Sequence, residues 1–222
     1  MKKACFKLSP SDLTFQWDDC RHCFYQKIVM GVRHPQTPMP KIFTEIHAGL
    51  KVWSDGKRTE LIARGIPKGV IEYSEKWVQS SLIKPNGSAV ACFISGRFDT
   101  VANLDSGGYA VVDFKTAKRN ESHLEIYGRQ LHAYAYCLEN PAPGKLALSP
   151  VKSLGLLVFE PFVFQDAGKG KIAQIGNLEW IEIPRDDNSF MEFLGEVMGV
   201  LDSPTPPEPS PACEWCLYRQ AS

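Results

Sequence analysis

The sequence lacks the features that would place it in a membrane or in a secretory pathway. None of its apolar runs approaches the roughly 20 residues that a membrane-spanning helix needs, so no membrane partner is expected. Lys2 and Lys3 are not followed by an apolar segment. A signal peptide is therefore not expected, and a cytoplasmic location is predicted.

An excess of charge of either sign is also absent. The 222 residues include 25 Lys and Arg and 25 Asp and Glu. Tight, non-specific binding of nucleic acid usually depends on an extended basic surface, and the composition gives no sign of one. Lys115, Lys118 and Arg119 form a local basic cluster, so charge neither indicates nor excludes a nucleic-acid partner.

Internal repeats and a second set of domain-like elements are missing as well. The hydrophobic pattern predicts five main elements, which are helix Lys41–Trp53, hairpin Gly96–Lys115, helix Leu124–Glu139, strand Ser153–Glu160 and helix Met191–Leu201. This order fits a mixed β-sheet flanked by helices. The length suffices for one core, so a single domain over residues 1–222 is expected.

The seven cysteines are the first sign of a specific site. Disulfides are not expected in a cytosolic chain. Four of the cysteines form two C-x-x-C pairs at opposite ends of the chain, namely Cys20, Cys23, Cys213 and Cys216. Two such pairs supply the four thiolates of a zinc ion or an iron–sulfur cluster. Cys92 and Cys137 fall within a strand and a helix pattern and are predicted to be core residues.

The predicted hairpin carries a second unusual pattern. Side chains alternate along a strand, so Asp113 and Lys115 share one face at the end of an otherwise apolar segment. Burying either charge is costly unless it is paired or holds a metal. Asp99, on the preceding strand, is expected near Asp113, and two adjacent carboxylates favour a divalent cation such as Mg²⁺. With a lysine beside them, these residue types suit phosphodiester hydrolysis.

Three motifs in order resemble a known family. The segments GRFD, VVDFK and QLHAY, within residues 96–134, resemble the G-x-x-D, D-x-K and Q-x-x-x-Y motifs of the PD-(D/E)XK nuclease superfamily, in particular its RecB-like branch. The resemblance implies a restriction-endonuclease-like α/β core, in which a mixed central β-sheet is flanked by helices. It also implies that Asp99 and Asp113 bind Mg²⁺ or Mn²⁺, with the Phe114 carbonyl as a further ligand, and that Lys115 is catalytic.

The resemblance implies roles for three more residues on the helices. Gln130 and Tyr134 lie four positions apart, on one helical face directed at the site. His47, on the helix before the motif strands, corresponds to a histidine that completes the metal site in RecB-like nucleases. Glu45 is the alternative ligand on that helix, and a core or surface role for His47 stays equally open.

The same resemblance bears on the cysteines. Some RecB-like nucleases, such as the CRISPR-associated adaptation exonucleases and the AddB-type nucleases, carry a [4Fe-4S] cluster that ties their termini together. Those families usually place one cysteine before the nuclease motifs and three after them. This chain places Cys20 and Cys23 before them and Cys213 and Cys216 after them. A [4Fe-4S] cluster is therefore the expected group, with Zn²⁺ as the alternative.

The implied function is metal-dependent hydrolysis of single- or double-stranded DNA, with exonuclease action in repair, recombination, phage or defence processing. Helicases or other recombination and repair proteins are the implied partners, and some relatives assemble as oligomers. Two alternatives stay open. One is a non-catalytic nucleic-acid-binding or assembly subunit that retains the nuclease fold, although the intact Asp99, Asp113 and Lys115 favour an enzyme. The other is a zinc-stabilised interaction protein.

Overall fold

The computed structural model describes residues 5–34, 40–85, 87–116 and 123–221. The predicted basic residues Lys118 and Arg119 lie outside these ranges. Among the described residues, no helix combines the length and the apolar character that crossing a bilayer requires.

The helices lie mostly at the two ends of the described chain. They are the short α1 (Phe15–Asp19), α2 (Arg21–Met30), α3 (Lys41–Ser54), α4 (Leu124–Glu139), α5 (Asp187–Asp202) and α6 (Glu214–Ala221). A 3₁₀ turn over Pro10–Leu13 precedes α1. It begins with a capping box, because the Ser9 side chain accepts from the Asp12 amide while the Asp12 carboxylate accepts from the Ser9 amide. The predicted bounds of α4 are confirmed, and α3 extends one residue beyond its prediction.

Within the described ranges, eight strands form two sheets. They are β1 (Cys5–Leu8), β2 (Gly69–Ser74), β3 (Trp77–Gln79), β4 (Ala91–Arg97), β5 (Thr100–Leu104), β6 (Tyr109–Thr116), β7 (Val151–Gly168) and β8 (Lys171–Ile183). The larger sheet has the order β2-β5-β6-β7-β8, and the smaller has the order β1-β4-β3. In the larger sheet β6 and β7 are parallel and the other neighbours are antiparallel. The predicted mixed sheet with flanking helices is thus confirmed, and it fits a restriction-endonuclease-like core.

The two faces of β6 contribute to different cores. Val111 packs into the larger core, which includes Leu131 of α4 and Leu194 of α5. Val112 and Phe114 point to the opposite face. α4 connects the parallel strands β6 and β7, as a crossover between parallel strands requires. Asp113 alternates with Val112 and Phe114, so its side chain lies on the α4 side of the sheet.

Three sequence predictions are changed by the structure. The predicted first strand of the hairpin is divided, because β4 pairs with β1 and β3 while β5 begins after Asp99 and joins the larger sheet. The strand predicted over Ser153–Glu160 continues to Gly168, since Pro161 falls at a register irregularity where a missing amide is tolerated. The predicted apolar stripe of α3 is only partly covered: Leu50 packs against the core, whereas Ile42 and Phe43 are exposed.

The pairing of β7 with β8 depends on a glycine. A Cβ at Gly155 would meet the Trp180 ring and would lie 2.7 Å from the Ile181 carbonyl oxygen. A backbone oxygen in a sheet cannot yield as a flexible side chain can. We therefore expect Gly155→Ala to lower the free energy of unfolding by about 2–3 kcal/mol, measured by urea denaturation.

The matched control is Gly199→Ala on the exposed side of α5. A Cβ there would meet nothing within 4 Å, and alanine is the better helix former. This variant should raise the free energy of unfolding by about 0.5–1 kcal/mol. Equal effects of the two substitutions would contradict the assigned close approach of Trp180 to β7.

Candidate functional site

The antiparallel pair β5–β6 brings the two predicted carboxylates together. Thr100 pairs with Val112, so Asp99, the residue before β5, lies beside the end of β6. The Phe114 amide donates a hydrogen bond of 2.9 Å to Oδ2 of Asp99. This bond fixes the Asp99 side chain on the backbone that carries Asp113 and Lys115.

Asp113 is a buried charge held by one lysine. Asp113 is only 3% exposed. Its Oδ2 lies 2.6 Å from Nζ of Lys115. Burial raises the pKa of Asp113 to about 6; Lys115 opposes this shift, and the neighbouring Asp99 carboxylate adds to it. Oδ2 receives no hydrogen bond of suitable geometry, so this oxygen has an ion pair but is otherwise unsatisfied.

Lys115 is held from three sides. Besides Asp113, its ammonium lies 3.4 Å from Oε1 of Gln130 and 4.4 Å from the centre of the Tyr127 ring. Burial is the largest single influence on the pKa of Lys115 and acts to lower it, but Asp113, Tyr127 and Asp99 together outweigh burial and the net pKa is raised. Lys115 therefore carries its charge at neutral pH, at a fixed position between β6 and α4.

Gln130 and Tyr134 have different positions. Gln130 contacts Lys115 directly, whereas the Tyr134 hydroxyl donates a hydrogen bond of 2.8 Å to the Arg97 carbonyl oxygen. The Gln130 amide lies 3.5 Å from the Tyr134 hydroxyl. Burial raises the pKa of Tyr134, so its hydroxyl stays protonated. Tyr134 therefore anchors the end of β4 to α4, and Gln130 is the member of the pair that reaches the charged residues.

A second lysine, which the motifs did not predict, contacts Asp99. Nζ of Lys51, on α3, lies 2.7 Å from Oδ1 of Asp99 and also pairs with Glu75. The other Glu75 oxygen lies 2.9 Å from Nε of Arg97. Glu75 has a left-handed backbone (φ 54°), and its amide donates to the Asp99 carbonyl. The spacing of His47 and Lys51, one helical turn apart, was the only signal in the sequence for this arrangement.

His47 lies in a groove beside these charges. The groove has a volume of about 410 Å³, and its lining includes Phe43, Lys51 and Arg97. Burial is the largest influence on the pKa of His47 and lowers it; Asp99 acts to raise it, and Lys51 and Lys115 act to lower it. The alternative ligand, Glu45, is exposed and lies 3.8 Å from Lys41, so it takes no part in the site.

The donor set fits a hard divalent cation. Asp99 and Asp113 offer carboxylate oxygens, the type of ligand that Mg²⁺ and Mn²⁺ prefer. Burial, with the neighbouring Asp99 carboxylate, raises the pKa of Asp113, so a cation bound beside it would favour its charged form. Within the described ranges, His47 does not join Asp99 and Asp113 in a group whose ligand atoms all lie within 4.8 Å.

The four predicted cysteines do form such a group. Their sulfur atoms all lie within 4.8 Å of one another, and all four residues are buried. Three of the separations are 3.7 Å for Cys20–Cys216, 3.7 Å for Cys23–Cys213 and 3.4 Å for Cys23–Cys216. The pairs lie at the first turns of α2 and α6, so the group joins these two helices and could bind a metal.

Two of the three remaining cysteines and the histidine of α4 have structural roles. Cys92 and Cys137 are fully buried in the larger core, which confirms their predicted role. His132 accepts the Asp186 amide at Nε2, at 2.8 Å, and its Nδ1 lies 2.8 Å from the Gly128 carbonyl oxygen. Both of its nitrogens therefore have hydrogen-bond partners.

A protein family and a solved structure are similar to this chain. A family model described as the PD-(D/E)XK nuclease superfamily matches residues 44–221, which include both carboxylates, Lys115 and the second cysteine pair. A solved structure described as the crystal structure of SSO0001 is similar to the chain, with a TM-score of 0.48 and 16% identity. The match covers 89% of this chain and 78% of that chain. No curated protein matches the chain significantly.

The raised pKa of Asp113 predicts how cation binding depends on pH. Below a pKa of about 6 the carboxyl is protonated, so each bound cation must displace a proton. We expect the affinity for Mn²⁺ to be constant above about pH 7 and to fall by up to about tenfold per pH unit below about pH 6. Calorimetric titration with Mn²⁺ between about pH 5 and pH 8 measures this directly.

Asp105→Asn is the control for this titration. Asp105 is a carboxylate in the β5–β6 turn that pairs with Arg58, and its removal should leave both the affinity and its pH dependence unchanged. An affinity that stays constant down to about pH 4.5, the behaviour of ordinary carboxylates, would contradict the assigned environment of Asp113.

Proposed function

The chain belongs to the PD-(D/E)XK nuclease superfamily, whose members generally hydrolyse phosphodiester bonds with divalent metals, and we propose that this protein is a metal-dependent deoxyribonuclease. The observation that carries the proposal is the approach of Asp99, Asp113 and Lys115 at the adjoining ends of β5 and β6. A structural role alone does not explain a buried carboxylate that lacks a full set of partners.

The finer assignment follows the resemblance to the RecB-like branch. The 3.4 Å contact between Gln130 and Lys115 supports it, because the Q-x-x-x-Y motif would then have a function at the site. We propose exonuclease action in DNA repair, recombination, phage or defence processing, in company with helicases or other repair proteins. We further propose that residues 1–222 act as one domain.

Asp99 and Asp113 would hold Mg²⁺ or Mn²⁺, with the Phe114 carbonyl and His47 as additional ligands. When bound, the cation supplies a Lewis acid for the phosphoryl oxygen and lowers the pKa of water. Asp99 is prepared for this role by the Phe114 amide, which fixes one of its oxygens. Lys51 pairs with both Asp99 and Glu75 and so holds the Asp99 carboxylate from the α3 side.

Lys115 and Gln130 would act on the water and on the phosphate. The raised pKa of Lys115 keeps its ammonium charged, so Lys115 can orient an attacking water and stabilise the negative charge that develops on phosphorus. Oε1 of Gln130 contacts the Lys115 ammonium and so restricts the direction in which the Lys115 side chain points. Tyr134 supports the site indirectly, through its hydrogen bond to the Arg97 carbonyl oxygen, and need not touch the substrate.

A cleavage assay tests the proposal. End-labelled single- and double-stranded DNA is incubated with protein and Mg²⁺, Mn²⁺ or EDTA. Cleavage should require the metal. Asp113→Asn and Lys115→Met should each lower the rate by about 100-fold or more, because loss of a residue that only hydrogen-bonds to a metal ligand already lowers activity by about 10- to 100-fold. Asp105→Asn should retain the full rate.

Two results would contradict the proposal. Cleavage by Asp113→Asn at the wild-type rate would exclude the assigned site. No cleavage by well-folded wild-type protein with either metal, combined with DNA binding that survives EDTA, would favour the non-catalytic binding or assembly subunit instead.

The cysteine group supports a second, structural metal. Around one tetrahedral ion with metal–sulfur bonds of about 2.3 Å, the sulfur atoms lie about 3.8 Å apart. The separations of 3.4–3.7 Å are close to this value. In a [4Fe-4S] cluster each thiolate binds a different iron, which places the thiolates farther apart. The spacing therefore favours Zn²⁺ over the cluster that the resemblance implies, and we propose that this ion ties α2 to α6.

Metal analysis of the purified protein distinguishes the two. We expect about one zinc ion per chain and no absorption band near about 400 nm. Cys23→Ser should lose the metal and unfold at a lower temperature, because the free energy of metal binding at such a site contributes to the free energy of folding. Cys5→Ser, outside the group, should retain the metal. Brown protein containing several irons per chain would establish the cluster instead.

A further inference from the structure

Two segments of the chain pass between the larger and the smaller sheet side by side. Glu75 lies in one of them, between β2 and β3, and Asp99 lies in the other, between β4 and β5. The Glu75 amide donates a hydrogen bond of 2.9 Å to the Asp99 carbonyl oxygen, and the Phe98 amide donates to the Lys76 carbonyl oxygen. Glu75 is thereby fixed next to the backbone of Asp99.

The side chain of Glu75 reaches the Asp99 carboxylate through Lys51. One Glu75 oxygen pairs with Nζ of Lys51, and this Nζ lies 2.7 Å from Oδ1 of Asp99. The other Glu75 oxygen lies 2.9 Å from Nε of Arg97. Glu75, Lys51 and Asp99 therefore form a closed ring of contacts, in which the backbone hydrogen bond joins the first residue to the last. This ring limits where the Lys51 ammonium can lie.

The backbone of Glu75 is unusual for a residue of its type. Its φ of 54° is in the left-handed region, which glycine and asparagine adopt more readily than glutamate. Either of these residues would suit the passage between the sheets better. A strained residue beside a functional site is a reason to look for a function of its side chain. The local backbone does not explain the glutamate, whereas its ion pairs with Lys51 and Arg97 do.

Lys51 can transmit an effect of Glu75 to Asp99. The side chains of Lys51 and Asp99 are each only 17% exposed. Burial acts to lower the pKa of Lys51, but its contacts with Asp99 and Glu75 outweigh burial and the net pKa is raised. Each Asp99 oxygen thus has its own donor, which is the charged Lys51 at Oδ1 and the Phe114 amide at Oδ2. The direction of the carboxylate depends on both donors.

We infer that Glu75 is a positioning residue of this site, which holds the Lys51 ammonium against Oδ1 of Asp99 and so fixes the direction of the Asp99 carboxylate. Residues that orient a metal ligand without touching the metal commonly determine metal affinity. The inference rests on the proposed function for the role of Asp99 as a ligand of Mg²⁺ or Mn²⁺, but it does not require cleavage. Glu75 itself would contact neither the cation nor the DNA.

Calorimetric titration with Mn²⁺ tests the inference in the absence of DNA. Glu75→Gln removes the charge and keeps the length of the side chain. We expect this variant to bind Mn²⁺ about 10- to 100-fold more weakly, the usual effect of losing a residue that orients a metal ligand. In a protein that already carries Lys51→Met, the same substitution should change the affinity by less than about twofold, because Glu75 acts through Lys51.

A second variant separates positioning from stability. Glu75→Asn also removes the carboxylate, but asparagine adopts the left-handed backbone more readily. It should therefore unfold at a higher temperature than Glu75→Gln and still bind Mn²⁺ as weakly. Lys169→Asn is the control for the backbone, since Lys169 has a similar φ of 53° in the β7–β8 turn. This control should unfold at a higher temperature than the wild type and retain its Mn²⁺ affinity.

Glu72→Gln is the control for charge. Glu72 lies on β2, three residues before Glu75, and accepts a hydrogen bond of 2.8 Å from Asn103. Its neutralisation should leave the Mn²⁺ affinity unchanged, which would show that the effect of Glu75→Gln depends on the contact with Lys51 and not on the loss of one negative charge from this region.

Four results would overturn the inference. They are wild-type affinity in Glu75→Gln, an equal loss of affinity with and without Lys51→Met, an affinity that follows the unfolding temperature of the two Glu75 variants, and a wild-type protein that binds no Mn²⁺. The second result would mean that Glu75 acts on the cation directly, and the third that its role is only structural.

The cleavage assay distinguishes failure of the inference from failure of the proposed function. The expected losses of Mn²⁺ affinity in a protein that cleaves no DNA would support the inference and contradict the proposed catalysis. Wild-type cleavage and affinity in Glu75→Gln, together with an inactive Asp113→Asn, would support the catalysis and overturn the inference.

Discussion

The arrangement of this site depends on one constraint, the burial of the Asp113 carboxylate at the end of an apolar strand. A carboxylate only 3% exposed must be protonated, paired or bound to a cation. The fold supplies one ammonium, from Lys115, and a neighbouring carboxylate that opposes ionisation. Since α4 crosses over the same end of β6, Gln130 and Tyr127 hold that ammonium in place.

Around this centre, opposite charges alternate from one element to the next. Lys115 pairs with Asp113, Lys51 with Asp99 and Glu75, and Arg97 with Glu75. The pairs of Lys51 and Arg97 join segments that are distant in sequence, so these charges also hold α3 and β4 against the central sheet.

The sequence predicted the site best where local periodicity decides geometry. The alternation of a strand placed Asp113 and Lys115 on one face, and the helix over Leu124–Glu139 has its predicted bounds. Lys51 and Glu75 were not predicted as site residues, because tertiary packing brings them to Asp99. No local sequence pattern predicts the left-handed backbone of Glu75. The continuation of β7 beyond Glu160 was not predicted either, since it depends on a register irregularity at Pro161, a residue usually excluded from strands.

The cysteine group has a further consequence for the unfolded chain. Cys23 and Cys213 are 190 positions apart, so a metal ion retained by both pairs would convert most of the polypeptide into a closed ring. By the chain-entropy relation used for cross-links, a ring of this size costs the unfolded ensemble about 5 kcal/mol at 25 °C. As long as the ion stays bound, the two ends of the chain are already neighbours. The docking of α2 against α5 and α6 then becomes a local event, although the sequence makes it one of the most distant contacts in the molecule.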